Sequence, residues 1–222
     1  MSKRMSYEIV KPISKSKLHS SYLVKDNFGQ LYFAKSVVNN PDIDPELLLH
    51  EIERSFNLHL HLSHPQINRG IRKIHLKRKP FYLYSYLSPE KFRSLQYQTV
   101  ENNEIEFLTQ ICFLLDYIHL QGFVHCDIKL DNIMVSQNGS FTVMLNDFDL
   151  LCNIGYKYDK LIIGSPNHIA PEIYSNSEIT PLVDSFALGY AMKQLFKGIK
   201  NKKTEFYTKI TSLTDKLLEP NP

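Results

Sequence analysis

Four polar residues in this chain constrain its fold more than any other feature. Lys129 stands two residues after Asp127, Asn132 three residues after the lysine, and Asp147 fifteen residues after the asparagine. Such side chains can supply an acceptor for a hydroxyl proton, a cation for a transferring phosphate and two oxygen ligands for magnesium. The alternative is an Asp-Asn loop that only caps local backbone. It is weak because it does not explain why all four residues occur at this spacing.

The composition excludes several classes of protein. Apolar residues make up 43% and charged residues 22% of the 222 residues, which predicts a packed globule rather than a disordered chain. A net charge of +3 is too small to indicate nucleic-acid binding, and the basic run at 71–79 is typical of a solvated strand edge. No apolar run approaches the length of a membrane span, and no signal peptide is visible. We therefore expect a cytoplasmic protein that binds no nucleic acid.

The cysteines and histidines predict neither a disulfide framework nor a structural metal site. The three cysteines are few, odd in number and far apart, at Cys112, Cys126 and Cys152. This usage is typical of a reducing compartment. Three histidines cluster at 59–64, but their spacing matches no metal-binding motif.

The first part of the chain is rich in predicted strands. Short β-branched and aromatic runs predict five of them, at 6–13, 20–25, 30–38, 71–76 and 81–87. Asp44 as N-cap and Pro45 at the first helical position predict one helix after the third strand. Its buried face would be formed by Leu48, Ile52, Ser55, His59 and Leu62.

The second part is predicted to be mainly helical. Periodic apolar residues and terminal signals indicate helices at 104–121, 181–196 and 205–218. The first of these carries an apolar stripe of Ile105, Leu108, Ile111, Leu115 and Ile118, and Gly122 follows as a C-cap. Two short strands, at 133–136 and 141–145, interrupt the helices.

Four motifs occur in the order that is found in one known family. They read HCDIKLDN (125–132), NDFD (146–149), GSPNHIAPE (164–172) and DSFALG (184–189). On these motifs the chain resembles eukaryotic-type Ser/Thr protein kinases over nearly its whole length. The resemblance implies a single α+β, bilobal domain: a small β-rich lobe (1–84), a hinge (85–89) and a mainly helical lobe (90–222) that is shortened at its C-terminal end.

The resemblance also implies roles for the four polar residues. Asp127 would accept the proton of the substrate hydroxyl or orient that hydroxyl, and Lys129 would neutralise charge on the γ-phosphate of ATP. Asn132 and Asp147 would hold Mg2+. A lysine two residues after the aspartate is typical of the Ser/Thr-specific form of this loop.

Further residues would bind the nucleotide. Lys35 resembles the third-strand lysine that pairs with the α- and β-phosphates, and its own partner should be a glutamate on the following helix. Glu51 is favoured, because it lies one helical turn from the position that the family spacing indicates, and Glu53 is the alternative. The backbone of Ser85 and Leu87 corresponds to the hinge that contacts the nucleotide.

The chain departs from the family pattern in three places. Ser14, Ser16 and His19 replace the three glycines of the phosphate-binding loop, which predicts weakened ATP binding. Cys126 replaces the arginine that reads a phosphate on the activation loop, which predicts an enzyme not switched by phosphorylation of that loop. Asp149 replaces the glycine of the metal motif, and either fixes that motif in one state or adds a carboxylate near magnesium.

Three functions remain open at this stage. The leading one is an active Ser/Thr protein kinase that uses ATP and Mg2+ on a protein substrate. The second is a pseudokinase that acts as a binding or regulatory module, and the third is a phosphotransferase for a small molecule, against which the peptide-docking segment at 164–172 argues. A protein partner or self-association would cover the shortened large lobe. A compact kinase fits a virus or an intracellular bacterium, in which case the host cytosol is its compartment.

Overall fold

The computed structural model describes residues 5–38, 40–157, 168–174, 177–197 and 205–219. The chain divides into two compact units, Met1–Pro89 and Glu90–Pro222. Several predicted features, at 164–167, 198 and 220–222, lie outside the described residues. Within the described ranges, no helix is both long enough and apolar enough to cross a membrane. The lobe and hinge boundaries at residues 84 and 89 stay a prediction.

The first unit is built on a five-stranded antiparallel sheet. Its strands are β1 (Tyr7–Lys15), β2 (His19–Asp26), β3 (Leu31–Val37), β4 (Gly70–Leu76) and β5 (Lys79–Ser85). They lie in the order β1-β2-β3-β5-β4, so that β3 is central. The predicted turn between β2 and β3 is closed by Asp26, whose Oδ1 accepts from the backbone N–H groups of Phe28 and Gln30.

One helix accompanies this sheet, α1 (Pro45–His59). Asp44 caps it as predicted, because its Oδ1 accepts from the N–H groups of Glu46 and Leu47. All five residues of the predicted apolar face are buried. The helix therefore begins at the predicted residue and buries the predicted face.

The second unit is mainly helical. Its helices are α2 (Glu104–Leu120), α3 (Pro171–Tyr174), α4 (Leu182–Lys197) and α5 (Glu205–Leu217). Its short strands are β6 (Phe92–Ser94), β7 (Phe123–Val124), β8 (Ile133–Ser136), β9 (Val143–Leu145) and β10 (Cys152–Asn153). These form an antiparallel sheet in the order β6-β8-β9 and a separate β7–β10 pair. The predicted α+β class, strand-rich first and mainly helical afterwards, is confirmed.

Two details of the second unit differ from the prediction. Ile105 was expected in the buried stripe of α2, but its side chain is 69% exposed. Phe107 and Leu114 take the buried positions instead. Strands β6, β7 and β10 were not predicted, because runs of two or three residues carry too little periodicity to register. The predicted C-cap is correct: Gly122 follows α2 with φ +83°.

Candidate active site

The catalytic-loop residues lie together between β7 and β8. Lys129 Nζ is 2.6 Å from Asp127 Oδ2. Asn132 Nδ2 donates to that same carboxylate oxygen and to the backbone carbonyl of Asp127, each at 2.8 Å. A 3₁₀ turn over Leu130–Asn132 brings the asparagine back to the aspartate. The structure thus brings together the three residues that the sequence predicts as catalytic.

The two oxygens of the Asp127 carboxylate have different surroundings. Oδ2 accepts from Lys129 and Asn132, whereas Oδ1 is buried and has no hydrogen-bond partner among the described residues. An unsatisfied buried acceptor costs about 1–3 kcal/mol and therefore needs a reason to persist. Burial raises the pKa of Asp127, and the Lys129 ammonium partly offsets this. Oδ1 is therefore a buried acceptor for which the described residues supply no donor.

Asp147 lies where the β8–β9 hairpin returns to the catalytic loop. Ile133 pairs with Leu145, and the N–H of Asn146 donates to the carbonyl of Asn132 at 2.9 Å. This pairing brings Asp147 next to Asn132, although fifteen residues separate them. The backbone of Asp147 is left-handed, with φ +61°, a conformation that Asp tolerates better than most residues.

Asn132 and Asp147 have the chemistry of a magnesium site. Both hydrogen bonds from the Asn132 side chain to Asp127 use its amide nitrogen, so they do not occupy its amide oxygen. An amide oxygen and a carboxylate are the hard ligands that Mg2+ prefers, and the ion commonly takes only one or two protein ligands beside substrate phosphates. No group of three or more His, Cys, Asp or Glu side chains is placed to hold a metal in the described part of the chain.

His125 links Asp127 to the NDFD segment at 146–149, a role that the sequence did not assign. The N–H of Asp127 donates to its Nδ1 at 3.2 Å, and its Nε2 lies 3.3 Å from the carbonyl of Asn146. Its ring also packs on Phe148, with centroids 4.6 Å apart. Burial lowers the pKa of His125. These contacts fit a neutral imidazole that carries its proton on Nε2 and orients both segments.

Asp184 holds the backbone of the catalytic loop from the first turn of α4. Its carboxylate accepts from the N–H of His125 at 2.9 Å and from the N–H of Cys126 at 2.8 Å. His119, at the end of α2, lies 2.9 Å from the same carboxylate. The side chain is fully buried. Cys126 has φ +64°, and these two bonds stabilise that unusual conformation directly before Asp127.

The sequence contained a signal for Asp184 but not for its partners. It opens the DSFALG motif at 184–189, which was recognised as a family feature without a role for its aspartate. A buried carboxylate must be paired or hydrogen-bonded, so an Asp at the start of an otherwise apolar helix indicates such a partner. The partners lie 58 and 59 residues away, and no local pattern identifies them.

The first unit carries the predicted nucleotide residues. Lys35 lies in β3 with only 4% of its surface exposed, and its ammonium is 5.7 Å from the centre of the Tyr84 ring. On α1, the Glu51 carboxylate binds the Arg54 guanidinium at 2.9 Å, whereas Glu53 binds Lys73 of β4. Each glutamate thus has a basic partner of its own, so these ion pairs do not decide between Glu51 and Glu53 for the predicted pairing with Lys35. That pairing stays a prediction.

Ser85 is the last residue of β5 and Leu87 follows it. The N–H of Ser85 donates to the carbonyl of Arg69 at 2.9 Å. That amide is consequently used within the first unit, so nucleotide contacts would fall to the Ser85 carbonyl and the Leu87 backbone. Their role at a hinge stays a prediction.

The loop without glycines forms a tight turn between β1 and β2. Ser16 Oγ accepts from the N–H groups of Leu18 and His19, at 3.2 and 3.1 Å. The N–H of Ser16 itself donates to the carbonyl of His19 at 2.8 Å. Three backbone amides of the turn are thereby satisfied internally, although amides are the groups with which such a loop would bind phosphate.

An apolar groove of about 390 Å³ lies apart from these residues. It is formed by α4 and α5, with Phe196, Tyr207 and Ile210 among its lining residues. It contains none of the predicted site residues. We therefore place the candidate active site at the catalytic loop, where the reactive side chains are.

Comparison with known proteins agrees with this fold. The model of the protein kinase domain family matches residues 7–217. The chain therefore belongs to the protein kinase family, and the predicted resemblance to eukaryotic-type Ser/Thr protein kinases is confirmed at that level.

Several Aurora kinases are among its relatives. An Aurora kinase of Saccharomyces cerevisiae is 25% identical over 95% of this chain and 59% of its own length. Aurora/IPL1-related protein kinase 2 of Caenorhabditis elegans is 24% identical over 86% of this chain and 63% of its own. An Aurora kinase of Eremothecium gossypii is 26% identical, over 88% and 54%. The chain thus spans a little over half to just under two thirds of the length of these relatives.

Proposed function

We propose that the chain is an active Ser/Thr protein kinase that transfers the γ-phosphate of ATP to protein hydroxyls. The observation that carries this proposal is the Asp127 carboxylate. One oxygen is held by Lys129 and Asn132, and the other is a buried acceptor without a partner in the described residues. This is the arrangement that a base for a substrate hydroxyl requires.

The residues of the catalytic loop would have separate roles in phosphoryl transfer. The substrate hydroxyl donates to Asp127 Oδ1, and its oxygen bonds to the γ-phosphorus as the bond from phosphorus to the ADP oxygen breaks. The hydroxyl proton passes to the carboxylate, and the electron pair of the broken bond leaves with ADP. Lys129 offsets charge on the transferring group, and Asp184 and His125 keep the loop in place.

Further residues would bind the nucleotide. Lys35 would contact the α- and β-phosphates with Glu51 as its partner, and the backbone of Ser85 and Leu87 would contact the base. Asn132 and Asp147 would hold Mg2+, which offsets phosphate charge when it is bound. Backbone N–H groups of the turn at Ser16 already donate to the Ser16 hydroxyl, so we expect ATP binding to be weak.

A radiolabelled ATP assay with generic protein substrates tests the proposal. Asp127→Asn should lower kcat by about 10²–10⁴-fold, because the amide cannot accept the proton. Asp116→Asn, an exposed change on α2, is the matched control and should leave kcat unchanged.

Burial raises the pKa of Asp127, so its charge costs folding free energy as the pH rises above the unfolded value of 3.8. The Asn variant should therefore melt no lower than the parent at pH 7.

The alternative function is that of a pseudokinase binding module. The self-satisfied turn at Ser16 favours it, together with Cys126 and Asp149 in place of the family residues. A thermal shift with magnesium-ATP separates the two. Stabilisation by ATP with no labelling of any protein, and with equal behaviour of the parent and Asp127→Asn, would refute the enzyme and support the binding module.

Three further properties are part of the proposal. The enzyme is not switched by activation-loop phosphorylation, since a cysteine whose sulfur contacts Cys152 stands where a phosphate receptor is expected. Its partners are protein substrates. The cytoplasm, or the cytosol of a host, is the compartment that its cysteine usage favours.

A further inference from the structure

Two thiols lie in contact beside the catalytic loop, and the proposed chemistry uses neither. The Sγ atoms of Cys126 and Cys152 are 3.5 Å apart, close enough for one S–H to donate to the other sulfur. Both cysteines are reduced in this structure. Cys152 is fully buried, whereas Cys126 is partly exposed. A disulfide needs about 2.05 Å between the sulfurs, so they would have to approach by only about 1.5 Å.

The fold, rather than the sequence spacing, creates this pair. Strand β10 pairs with β7 so that Cys152 lies opposite Val124, two residues before Cys126. The bonds from Asp184 hold the backbone of Cys126 at φ +64°. An apolar cluster that includes Val124, Ala170 and Val183 packs around both sulfurs. The two thiols are thus held against each other from two elements with restrained backbones.

We propose that Cys126 and Cys152 form a reversible disulfide when the protein meets a peroxide. Cys126 is the thiol that reacts first with the peroxide, because it is the more exposed of the two. Cys152 is the buried resolving thiol. The bond would close a covalent loop around residues 127–151, which include Asp127, Lys129, Asn132 and Asp147.

The reaction balances with hydrogen peroxide as the oxidant. The Cys126 thiolate attacks one peroxide oxygen, forming an S–O bond as the O–O bond breaks, and the other oxygen leaves as water. The Cys152 thiolate then attacks the sulfenic sulfur, forming the S–S bond, and the hydroxyl leaves as a second water. The two thiols lose two electrons and two protons in total. An added dithiol reverses the reaction by thiol–disulfide exchange.

The cross-link should stabilise the second unit. A disulfide restricts the unfolded chain, and this loop spans most of the distance from β7 to β10. We expect oxidation to raise the melting temperature by about 5–10 °C. Dithiothreitol should return it to the reduced value. Neither effect depends on kinase activity, so the inference can fail or succeed separately from the proposed function.

The test uses the full chain with Cys112→Ser, which removes the exposed third thiol. After mild hydrogen peroxide treatment, the intact mass should fall by about 2 Da as two hydrogens are lost. Both remaining thiols should resist alkylation, and a peptide that joins 126 to 152 should appear only without reductant. In the Cys112→Ser background, the added changes Cys126→Ser and Cys152→Ser serve as matched controls. Each should abolish the 2 Da loss and the rise in melting temperature.

Three results would overturn the inference. The first is that both thiols of Cys112→Ser remain open to alkylation after oxidation. The second is that Cys126 gains two or three oxygens without linking to Cys152, as expected of a thiol with no partner in reach. The third is a link between two chains rather than within one, visible as a dimer on a non-reducing gel. A link that forms without raising the melting temperature would disprove the stabilising role.

Discussion

At the scale of single residues, Asp127 is the group whose surroundings define the site. Burial raises its pKa and Lys129 lowers it, so that the balance of the two sets the pH at which the carboxylate can accept a proton. Asp127 can act as the proposed base only when it is deprotonated. The acid limb of the pH profile of kcat/KM should consequently lie above pH 3.8, the value for an ordinary Asp.

Replacing Lys129 by methionine tests this balance. The change removes the nearest cation, so the pKa of Asp127 should rise further and the acid limb should move to higher pH. The maximal kcat should also fall by about tenfold or more, because the charge on the transferring phosphate loses its counter-charge. The measurement is kcat/KM for peptide phosphorylation across about pH 3–9, which spans the ordinary Asp value and neutrality. Lys209→Met, at an exposed position on α5, is the control. A lower kcat with an unmoved acid limb would contradict the assignment of Asp127 as the titrating base.

At the scale of elements, the catalytic loop is held by helices that contribute no chemistry. Asp184 in the first turn of α4 binds the end of α2 through His119 and the loop after β7 through two backbone amides. One carboxylate therefore fixes three elements at a single point. Burial makes these bonds strong, because water cannot replace them.

Asp184→Asn should show what this anchor contributes. An amide has one acceptor oxygen, so its NH2 group would face a backbone N–H that can no longer be satisfied. We expect a loss of about 2–4 kcal/mol in the free energy of unfolding, measured by urea titration, together with a lower kcat. Asp215→Asn, at a 61% exposed side chain on α5, should cost less than about 0.5 kcal/mol. Equal stability of the two variants would show that Asp184 is not an anchor.

The β1–β2 turn offers a second prediction for a single element. Ser16→Gly removes the hydroxyl that accepts from Leu18 and His19, and so frees two backbone amides for phosphate. The Kd for magnesium-ATP, measured by titration calorimetry, should fall by about three- to tenfold. Ser20→Gly places the same residue in a paired position of β2 and controls for added flexibility. Unchanged affinity in Ser16→Gly would mean that the turn does not limit ATP binding.

At the scale of the whole molecule, the proposed enzyme lacks a phosphate-operated switch. Ser165→Asp should change kcat by less than about twofold, because no arginine stands before Asp127 to bind the added charge. Kinase assays on the variant and on Ser212→Asp, a comparison at an exposed position of α5, measure this. A large rise in kcat for Ser165→Asp alone would contradict the proposal that activation-loop phosphorylation does not switch the enzyme.

Local patterns predicted much of the fold. The capped start of α1, its buried face and the glycine after α2 all follow from residues within a few positions of one another. The face of α2 was misjudged at Ile105, because apolar residues surround that helix on several sides. Periodicity then fits more than one orientation, and packing against neighbouring elements decides between them.

By itself, the sequence determined the family, the α+β class and the identity of the groups at the catalytic loop. Asp127, Lys129 and Asn132 lie within six consecutive residues, so a turn of the chain suffices to bring them together. Only the tertiary structure decided which Asp127 oxygen has no partner among the described residues, that Asp184 anchors the loop, and that Cys126 touches Cys152. The contacts of Asp184 and of the two cysteines join residues that are far apart in the chain. They depend on how helices and strands pack, and a one-dimensional pattern does not carry that information.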